Sequence, residues 1–288
     1  MPIDAASLGP VGVWSTGLRS VDPAEAADAA AEIEALGYGA IWIPGRAGGD
    51  VFGAAAQLLA ATRNLVVATG VVNLWMHEPA EVASAARRLG DRFLLGLGVS
   101  HGPLVATTGQ TYERPLATTA AYLDALDGLG VGADADARVL AALGPRMLAL
   151  ARDRSLGAHP YLTTPEHTAT ARDALGPDRL LAPELHVVRD GDPVSARELA
   201  RRVVANNLRL PNYRASFVRQ GFSDDDLAAG GSDRLIDAVV AWGTDEAIAR
   251  RVHDHLAAGA DHVTVQVLTA GPTELPTAGW RALAPLLL

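Results

Sequence analysis

Two residue types are missing from this 288-residue chain: cysteine and lysine. Without cysteine there is no disulfide framework, no thiolate metal site and no cysteine nucleophile. Without lysine there is neither a Schiff-base amine nor the lysine that a P-loop needs at nucleotide phosphates. All 24 basic residues are therefore arginines.

Aromatic residues and long apolar runs are also scarce. Aromatics make up 5% of the chain, so interior bulk must come from Ala, Val, Leu and Ile, as in close-packed layers of helix and sheet. No apolar run approaches the roughly 18 residues of a membrane span, and the N-terminus lacks a signal-peptide pattern. The net charge of −9 is spread along the chain, which argues against nucleic acid as a partner. We expect a cytoplasmic protein without a membrane segment.

Short apolar runs alternate with amphipathic segments, a pattern typical of parallel strands joined by crossover helices. Eight runs are predicted as strands, at residues 11–14, 38–43, 65–70, 92–98, 138–143, 156–162, 180–188 and 262–268. A capping residue followed by proline, or a Thr-Asp-Glu cap, predicts where helices begin, and glycine predicts several helix ends. The starts are at residues 23, 79, 115, 145, 165 and 245, and the ends at Gly37, Gly157, Gly176 and Gly259.

Eight strand-then-helix units predict one domain over residues 1–288, an α/β protein with the (β/α)8 TIM-barrel fold. A doubly wound sheet is disfavoured because no G-x-G-x-x-G motif follows the first strand. About seventy residues, 189–261, separate strands seven and eight and read as several helices, including 195–208 and 232–243. We expect a helical insertion above the barrel mouth that serves as a lid or an oligomer surface.

The segment FLLGLGVSHGPLV, residues 93–105, is predicted to be strand four and the loop that follows it. Loops after the strands build the active-site face of a TIM barrel, which places His101 at the rim. A helix-capping or loop-packing role is the alternative for this histidine. Other strands also end in polar or aromatic groups, at Trp14 and Ser15, Arg46 and Asp50, Asn73 and His77, His159 and Tyr161, Glu184 and His186, and Gln266.

The segment VLAALGPRM, residues 139–147, predicts an anion site. A strand ends, small residues follow, and a helix begins at Pro145, which leaves free amides at a positive helix end. Arg146 adds a formal charge. The alternative is an ordinary turn with Arg146 in solvent.

Taken together, several segments resemble the bacterial luciferase-like superfamily, and within it the actinobacterial oxidoreductases that use the deazaflavin coenzyme F420. The set is specific although no single member is; it comprises VATGVVNLWMHEPAEVASAARRL, RFLLGLGVSHGPLV, YERPLATTAAYLDAL, VLAALGPRMLALARDRSLGAHPYLTTPEHTATAR, LPNYRASFVRQGFSDDDLAAGGSDRLIDAVVAWG and HLAAGADHVTVQVL. The resemblance implies a barrel with an insertion after strand seven. It also implies a deazaflavin across the mouth and hydride exchange with a small organic substrate.

The resemblance also assigns individual residues. Gly70 and Val71 match a non-proline cis peptide behind the central ring of the coenzyme, and His101 stands near the reacting ring carbon as a proton donor or acceptor. Asp50 is a candidate for the ring's hydroxyl edge, because the acidic–histidine pair of many relatives is absent. Contacts to the coenzyme tail and phosphate are assigned to Gly98, Val99, Ser100, Ala142, Leu143, Gly144, Pro145 and Arg146. Substrate contacts are predicted for Trp14, Asn73, His159 and Glu184.

Two alternatives stay open beside F420-dependent hydride transfer: an FMN-dependent monooxygenase and a non-catalytic ligand-binding barrel. No metal site is expected. His253 and His255 lie two apart on a predicted helix and point to different faces, and together with His262 they are interpreted as surface histidines. A homodimer through outer helices, with residues 116–130 contributing, is a further prediction, although core packing explains that segment equally well.

Overall fold

Parallel strands form the interior of the protein. The computed structural model describes residues 3, 5–45, 49–131, 138–271 and 273–288. Within these ranges the strands are β1 (Val11–Trp14), β2 (Ala40–Ile43), β3 (Val66–Thr69), β4 (Val72–Asn73), β5 (Phe93–Gly98), β6 (Arg138–Leu140), β7 (Gly157–Ala158), β8 (Leu180–Leu181), β9 (Glu184–Val188), β10 (Val240–Trp242) and β11 (Val263–Val267).

The sheet curls, and an interrupted strand joins its two sides. Hydrogen-bonded neighbours follow the order β10, β9, β11, β1, β2, β3, β5, β6, β7, β8, with β4 beside β5. The predicted strand 180–188 consists of β8, which pairs with β7, and β9, which pairs with β11. Between them the amides of Ala182 and Glu184 donate to the carbonyls of Ala158 and Pro160. The architecture is of the TIM-barrel type, as predicted.

Helices cover the outside of the sheet. In the described ranges they are α1 (Pro23–Ala35), α2 (Val51–Ala61), α3 (Pro79–Leu89), α4 (Gly102–Ala106), α5 (Pro115–Gly128), α6 (Pro145–Arg154), α7 (Pro165–Leu175), α8 (Pro193–Asn207), α9 (Pro211–Arg219), α10 (Asp233–Val239), α11 (Asp245–Ala257) and α12 (Thr277–Leu287). Three of the six predicted capping residues make side-chain caps: Asp22, Thr164 and Thr244 accept hydrogen bonds from the first-turn amides of α1, α7 and α11. Glu78, Arg114 and Gly144 precede their helices without a side-chain cap bond. None of the described helices is both long and apolar enough to span a bilayer.

The segment between β9 and α11 contains α8, α9 and α10, which bury an apolar cluster of their own around Ala200, Phe217 and Ile236. The predicted helix over 232–243 is wrong in its last part, because Val240–Trp242 form β10 beside β9. The neighbours of β9 are β11 and β10, so without β10 one edge of β9 would lack a paired strand.

Three sequence interpretations are corrected by burial. Gly157 lies in β7 rather than at a helix end, and a Cβ there would lie 1.8 Å from the Leu180 carbonyl oxygen. His255 and His262 are fully buried rather than at the surface, whereas His253 is exposed. His255 pairs with Thr168 at 2.8 Å, and His262 accepts a hydrogen bond from the Trp42 indole at 3.1 Å. Burial lowers the pKa of His255 to about 3 and that of His262 to about 4, so both are neutral near pH 7.

Candidate functional site

A cavity of about 540 Å³ lies at the carboxyl ends of the strands. Its walls come from the ends of β1 to β7, from α4 and the segment before α5, and from α9. This is the face on which TIM barrels carry their sites, and the volume is typical of a small-molecule pocket. Since α9 belongs to the segment between β9 and α11, that segment contributes to the cavity, as the lid prediction requires.

The floor of the cavity contains the Gly70–Val71 peptide, which is cis, as the resemblance implied. Glycine allows very close packing here. A Cβ on Gly98 would lie 2.5 Å from Cγ2 of Val71, and a Cβ on Gly70 would lie 2.4 Å from the Trp14 indole nitrogen. Backbone rather than side chain therefore forms much of this surface.

The loop after β5 is held by hydrogen bonds from the neighbouring strand end. Asn73 donates to the Ser100 hydroxyl at 3.0 Å, and the Trp75 indole donates to the Val99 carbonyl at 2.9 Å. Ser100 has a positive φ of 62°, which is uncommon for a residue with a Cβ. Asn73 lines the cavity; its Nδ2 donates one hydrogen bond to Ser100 and its Oδ1 accepts one from the Trp75 amide.

His101 lines the cavity and contacts the insertion. Its Nδ1 lies 2.9 Å from Oδ1 of Asn212 at the start of α9. An amide oxygen only accepts hydrogen bonds, so the proton is on Nδ1 and Nε2 keeps its lone pair. Burial lowers the pKa of His101, and the hydrogen bond with Asn212 partly offsets that shift. The residue precedes α4 but makes no side-chain cap bond, so the capping interpretation gains no support.

The predicted anion loop, residues 142–146, is held in place by hydrogen bonds from side chains of two other helices. The Leu143 carbonyl accepts hydrogen bonds from Nε2 of His167 at 3.1 Å and from Arg219 at 3.3 Å. Because the C=O and N–H of a trans peptide point in opposite directions, this anchor turns the Gly144 N–H away from those two side chains. Among the described residues, no hydrogen bond uses the amides of Leu143, Gly144 or Arg146.

Two arginines accompany these amides. Arg146 begins α6, Arg219 ends α9, and both line the cavity. Both side chains are exposed, so this end of the cavity opens to solvent. Arg219 was not found from the sequence, because it lies 76 positions from Leu143 and only the packing of α9 brings it there. Leu143, Gly144, Arg146 and Arg219 are called the arginine end below.

Another part of the cavity wall is aromatic. Tyr213 of α9 is 7% exposed, and its ring centroid lies 5.6 Å from that of His101 and 6.4 Å from that of Tyr161. The Tyr161 hydroxyl donates to Gln266 at 3.1 Å and lies 3.2 Å from Nε2 of His186. His101, Tyr161 and Tyr213 are called the aromatic end below. Tyr213 and Asn212 carried no sequence signal, since both lie inside an amphipathic helix far from any strand end.

Of the remaining predicted substrate contacts, Trp14 and His159 line the cavity. Nδ1 of His159 donates to the Ala182 carbonyl at 2.7 Å, and its ring stacks on Trp42 with centroids 4.2 Å apart. Burial, the largest effect, lowers the pKa of His159 to about 4. The ring is therefore neutral near pH 7.

The structure places two other candidates, Asp50 and Glu184, away from the cavity. Asp50 caps α2 by accepting a hydrogen bond from the Gly53 amide at 2.8 Å. Glu184 is fully buried, with Oε1 2.8 Å from Nδ1 of His186, and it does not line the cavity. Arg46 lies outside the described residues. No group of metal-ligating side chains occurs within the described ranges.

Sequence comparison adds a family match. Residues 6–139 match the model of the luciferase-like monooxygenase family. A Mycobacterium tuberculosis protein, provisionally named as a coenzyme F420-dependent oxidoreductase, is 33% identical over 108 residues, which is 35% of this chain. The matched segment spans only 31% of that relative's length.

Solved structures extend the likeness to the whole chain. An F420-dependent secondary alcohol dehydrogenase, in complex with an F420–acetone adduct, has a TM-score of 0.74 at 13% identity, covering 97% of this chain and 99% of that one. The oxygenating constituent of 3,6-diketocamphane monooxygenase from Pseudomonas putida, in complex with FMN, has a TM-score of 0.68 at 12% identity, covering 97% and 98%. Such low identities show a shared fold. The resemblance found in the sequence is thereby confirmed as a resemblance: residues 6–139 match the luciferase-like family model, and the fold is shared over nearly the whole chain.

Proposed function

We propose that the protein is an oxidoreductase that binds coenzyme F420 and exchanges a hydride with a small organic substrate. The observation that carries this proposal is the arginine end of the cavity. Three backbone amides that have no partner among the described residues lie there with two arginine side chains. Such a combination suits a phosphate group, because backbone N–H groups and a helix N-terminus both favour negative charge.

The remaining lining residues fit a flat ring. Gly70, Val71 and Gly98 present backbone and one small side chain to the cavity, which leaves room for a planar group to lie against them. The amides of Leu143, Gly144 and Arg146 would hold the phosphate, together with the guanidinium groups of Arg146 and Arg219. When bound, the coenzyme supplies the hydride chemistry that no side chain can provide.

His101 is the residue that we propose exchanges a proton with the substrate. Its lowered pKa keeps it neutral near pH 7, and its Nε2 has no hydrogen bond among the described residues. A neutral imidazole with a free lone pair can accept the hydroxyl proton of an alcohol, and its protonated form can return that proton to an oxygen in the reverse reaction.

The exposed position of Arg146 and Arg219 favours F420 over FMN. In F420 the phosphate is a diester with a tail beyond it, and an arginine end that opens to solvent lets such a tail leave the cavity. FMN ends in its phosphate, so an FMN-dependent monooxygenase is the second candidate, supported by the FMN-bound neighbour. A non-catalytic ligand-binding barrel is the third.

Titration of the purified protein with each coenzyme tests the proposal. We expect saturable quenching or a shift of F420 fluorescence, and no saturable binding of FMN. Saturable FMN binding without an F420 response would favour the FMN-dependent monooxygenase over the F420-dependent oxidoreductase. If neither coenzyme binds, both redox proposals fail and the ligand-binding barrel remains.

Three expectations accompany this function: a single domain over residues 1–288, a homodimer and a cytoplasmic location. For the homodimer, α5 gives little separate support, because its residues Tyr122, Leu123 and Leu126 are buried within the same chain. Light scattering on a size-exclusion column measures the oligomeric state directly.

A further inference from the structure

We propose that Tyr213 donates a hydrogen bond to an oxygen atom of the organic substrate, which makes alcohols and ketones the preferred substrate class. The inference rests on the proposed function and deepens it, since hydride transfer alone would be equally compatible with an activated alkene. It also gives the insertion a direct chemical role, because Tyr213 is supplied by α9.

The first support is an unpartnered polar group at the cavity. Tyr213 is 7% exposed and lines the cavity, yet no hydrogen bond of the described residues uses its hydroxyl. The other well-buried tyrosines behave differently: the hydroxyls of Tyr38 and Tyr122 donate to the carbonyls of Trp280 and His77. The side chain lines the cavity, where a ligand oxygen would pair with a hydroxyl that none of the described residues engages.

The second support is the position of the proton acceptor. Tyr213 and His101 are in ring contact at 5.6 Å, and Asn212, the neighbour of Tyr213 in the chain, holds Nδ1 of His101 at 2.9 Å. The first turn of α9 thus places a hydroxyl donor beside an imidazole whose Nε2 is free. A substrate oxygen between them can accept from Tyr213 and exchange its own proton with His101.

Electrostatics separates the roles of the two groups. Burial, and secondarily the nearby carboxylate of Glu184, raise the pKa of the Tyr213 phenol far above its ordinary value, so this group stays protonated and acts only as a donor. Burial moves the pKa of His101 in the opposite direction, downward, which suits an acceptor. Two neighbouring titratable groups whose environments shift their pKa values in opposite directions are typical of an acid–base arrangement.

These roles fit the oxidation of a secondary alcohol. The hydroxyl proton would pass to Nε2 of His101. The carbon–hydrogen bond would break with its electron pair leaving as hydride, for which a bound deazaflavin would supply the acceptor, and the carbon–oxygen bond would become double. Tyr213 keeps its proton throughout. Its hydrogen bond is strongest when the oxygen carries most negative charge, so it stabilises the transition state in both directions.

The variant Tyr213→Phe removes only the hydroxyl. Tyr122→Phe is the control, because it removes a tyrosine hydroxyl that donates to the His77 carbonyl and does not line the cavity. The probe is isotope-labelled cyclohexanone bound to the coenzyme-free protein and observed by infrared spectroscopy. In the wild type and in Y122F we expect the carbonyl band at a lower frequency than in an aprotic solvent. In Y213F the band returns toward the aprotic value, and affinity falls by about two- to tenfold, the range of one net hydrogen bond.

A Y213F band identical to that of the wild type overturns the inference, and so does the absence of any cyclohexanone binding to the wild type. Neither outcome depends on the coenzyme. If the wild type binds no F420 but Y213F still loses the band shift, the proposed function fails while the Tyr213 contact stands. With F420 bound, Y213F should lower kcat for secondary alcohols more than it raises KM, with coenzyme affinity unchanged.

Discussion

The arginine end and the aromatic end of the cavity are built from different groups. At the arginine end, backbone amides and two exposed guanidinium groups present positive charge to solvent. At the aromatic end, a half-buried imidazole and a buried phenol present neutral groups whose proton positions are set by burial and by Asn212. The first end suits a permanent anion, whereas the second suits an oxygen whose charge changes during a reaction.

The difference has a physical consequence for each end. Attraction between exposed charges is screened by salt within about 8–10 Å at ordinary ionic strength. Hydrogen bonds from buried groups are much less screened and depend on position within tenths of an ångström. Changes at the arginine end should therefore alter coenzyme affinity and its salt dependence, while changes at the aromatic end should alter turnover and its pH dependence.

The largest expected effect is at the aromatic end. Replacing His101 with glutamine should lower turnover by about 10²- to 10⁴-fold, the range for loss of a general acid–base group, with F420 affinity nearly unchanged. Steady-state kinetics and fluorescence titration measure the two quantities. His253→Gln is the control, because His253 is exposed on α11. Unchanged turnover in H101Q would remove His101 from the chemistry.

The next effect is at the arginine end. The double variant R146A/R219A should weaken F420 binding by about 100-fold, since a charge-assisted hydrogen bond contributes about 1.5–3 kcal/mol and the two losses are not fully additive. The dependence of the dissociation constant on salt should flatten in parallel. Arg152→Ala serves as control, because Arg152 lies on the same helix and pairs with Asp153. Equal affinities in the double variant and the control would contradict an anion site here.

A smaller effect tests the anchor of the anion loop. His167 is buried and donates to the Leu143 carbonyl, so His167→Phe should weaken coenzyme binding by up to about tenfold, the range of one net hydrogen bond. His167→Gln keeps a donor and should recover part of the affinity. If H167F and H167Q bind the coenzyme equally, the hydrogen bond to Leu143 does not position the loop.

The smallest effect is a pH shift. The hydrogen bond that Nδ1 of His101 donates to Asn212 raises the pKa of His101 against the lowering effect of burial, so Asn212→Ala should lower that pKa further. Neutral His101 accepts the hydroxyl proton of the alcohol, so the rate of alcohol oxidation falls as the pH drops through the pKa of His101. The acid limb of the kcat profile should therefore move to lower pH, by less than about one unit. Asn206→Ala on α8 is the control, and a limb that moves upward would refute this account.

The strands and many helix starts were predictable because they depend on local features. The strands lie within the apolar runs of the sequence. Helix α1 begins after the cap at Asp22 and helix α6 begins at Pro145, as the sequence predicted. The end of the segment 232–243 was mispredicted because its pairing edge on β9 lies about 50 residues away in the chain. The burial of His255 and His262 was likewise missed, since Thr168, Trp42 and Gly9 pair with them only in three dimensions.

By itself, the sequence determined the alternation of strands and helices, the free amides ahead of Pro145 and the place of His101 at a strand end. Each of these follows from the conformation of a few consecutive residues. Only the tertiary structure decided that Arg219 joins the amides near Gly144, that Asn212 accepts a hydrogen bond from His101, and that Tyr213 lines the cavity with a hydroxyl that has no partner among the described residues. Those contacts join residues about 70 to 110 positions apart, and they exist because α9 packs over the barrel mouth, a long-range arrangement that no local pattern encodes.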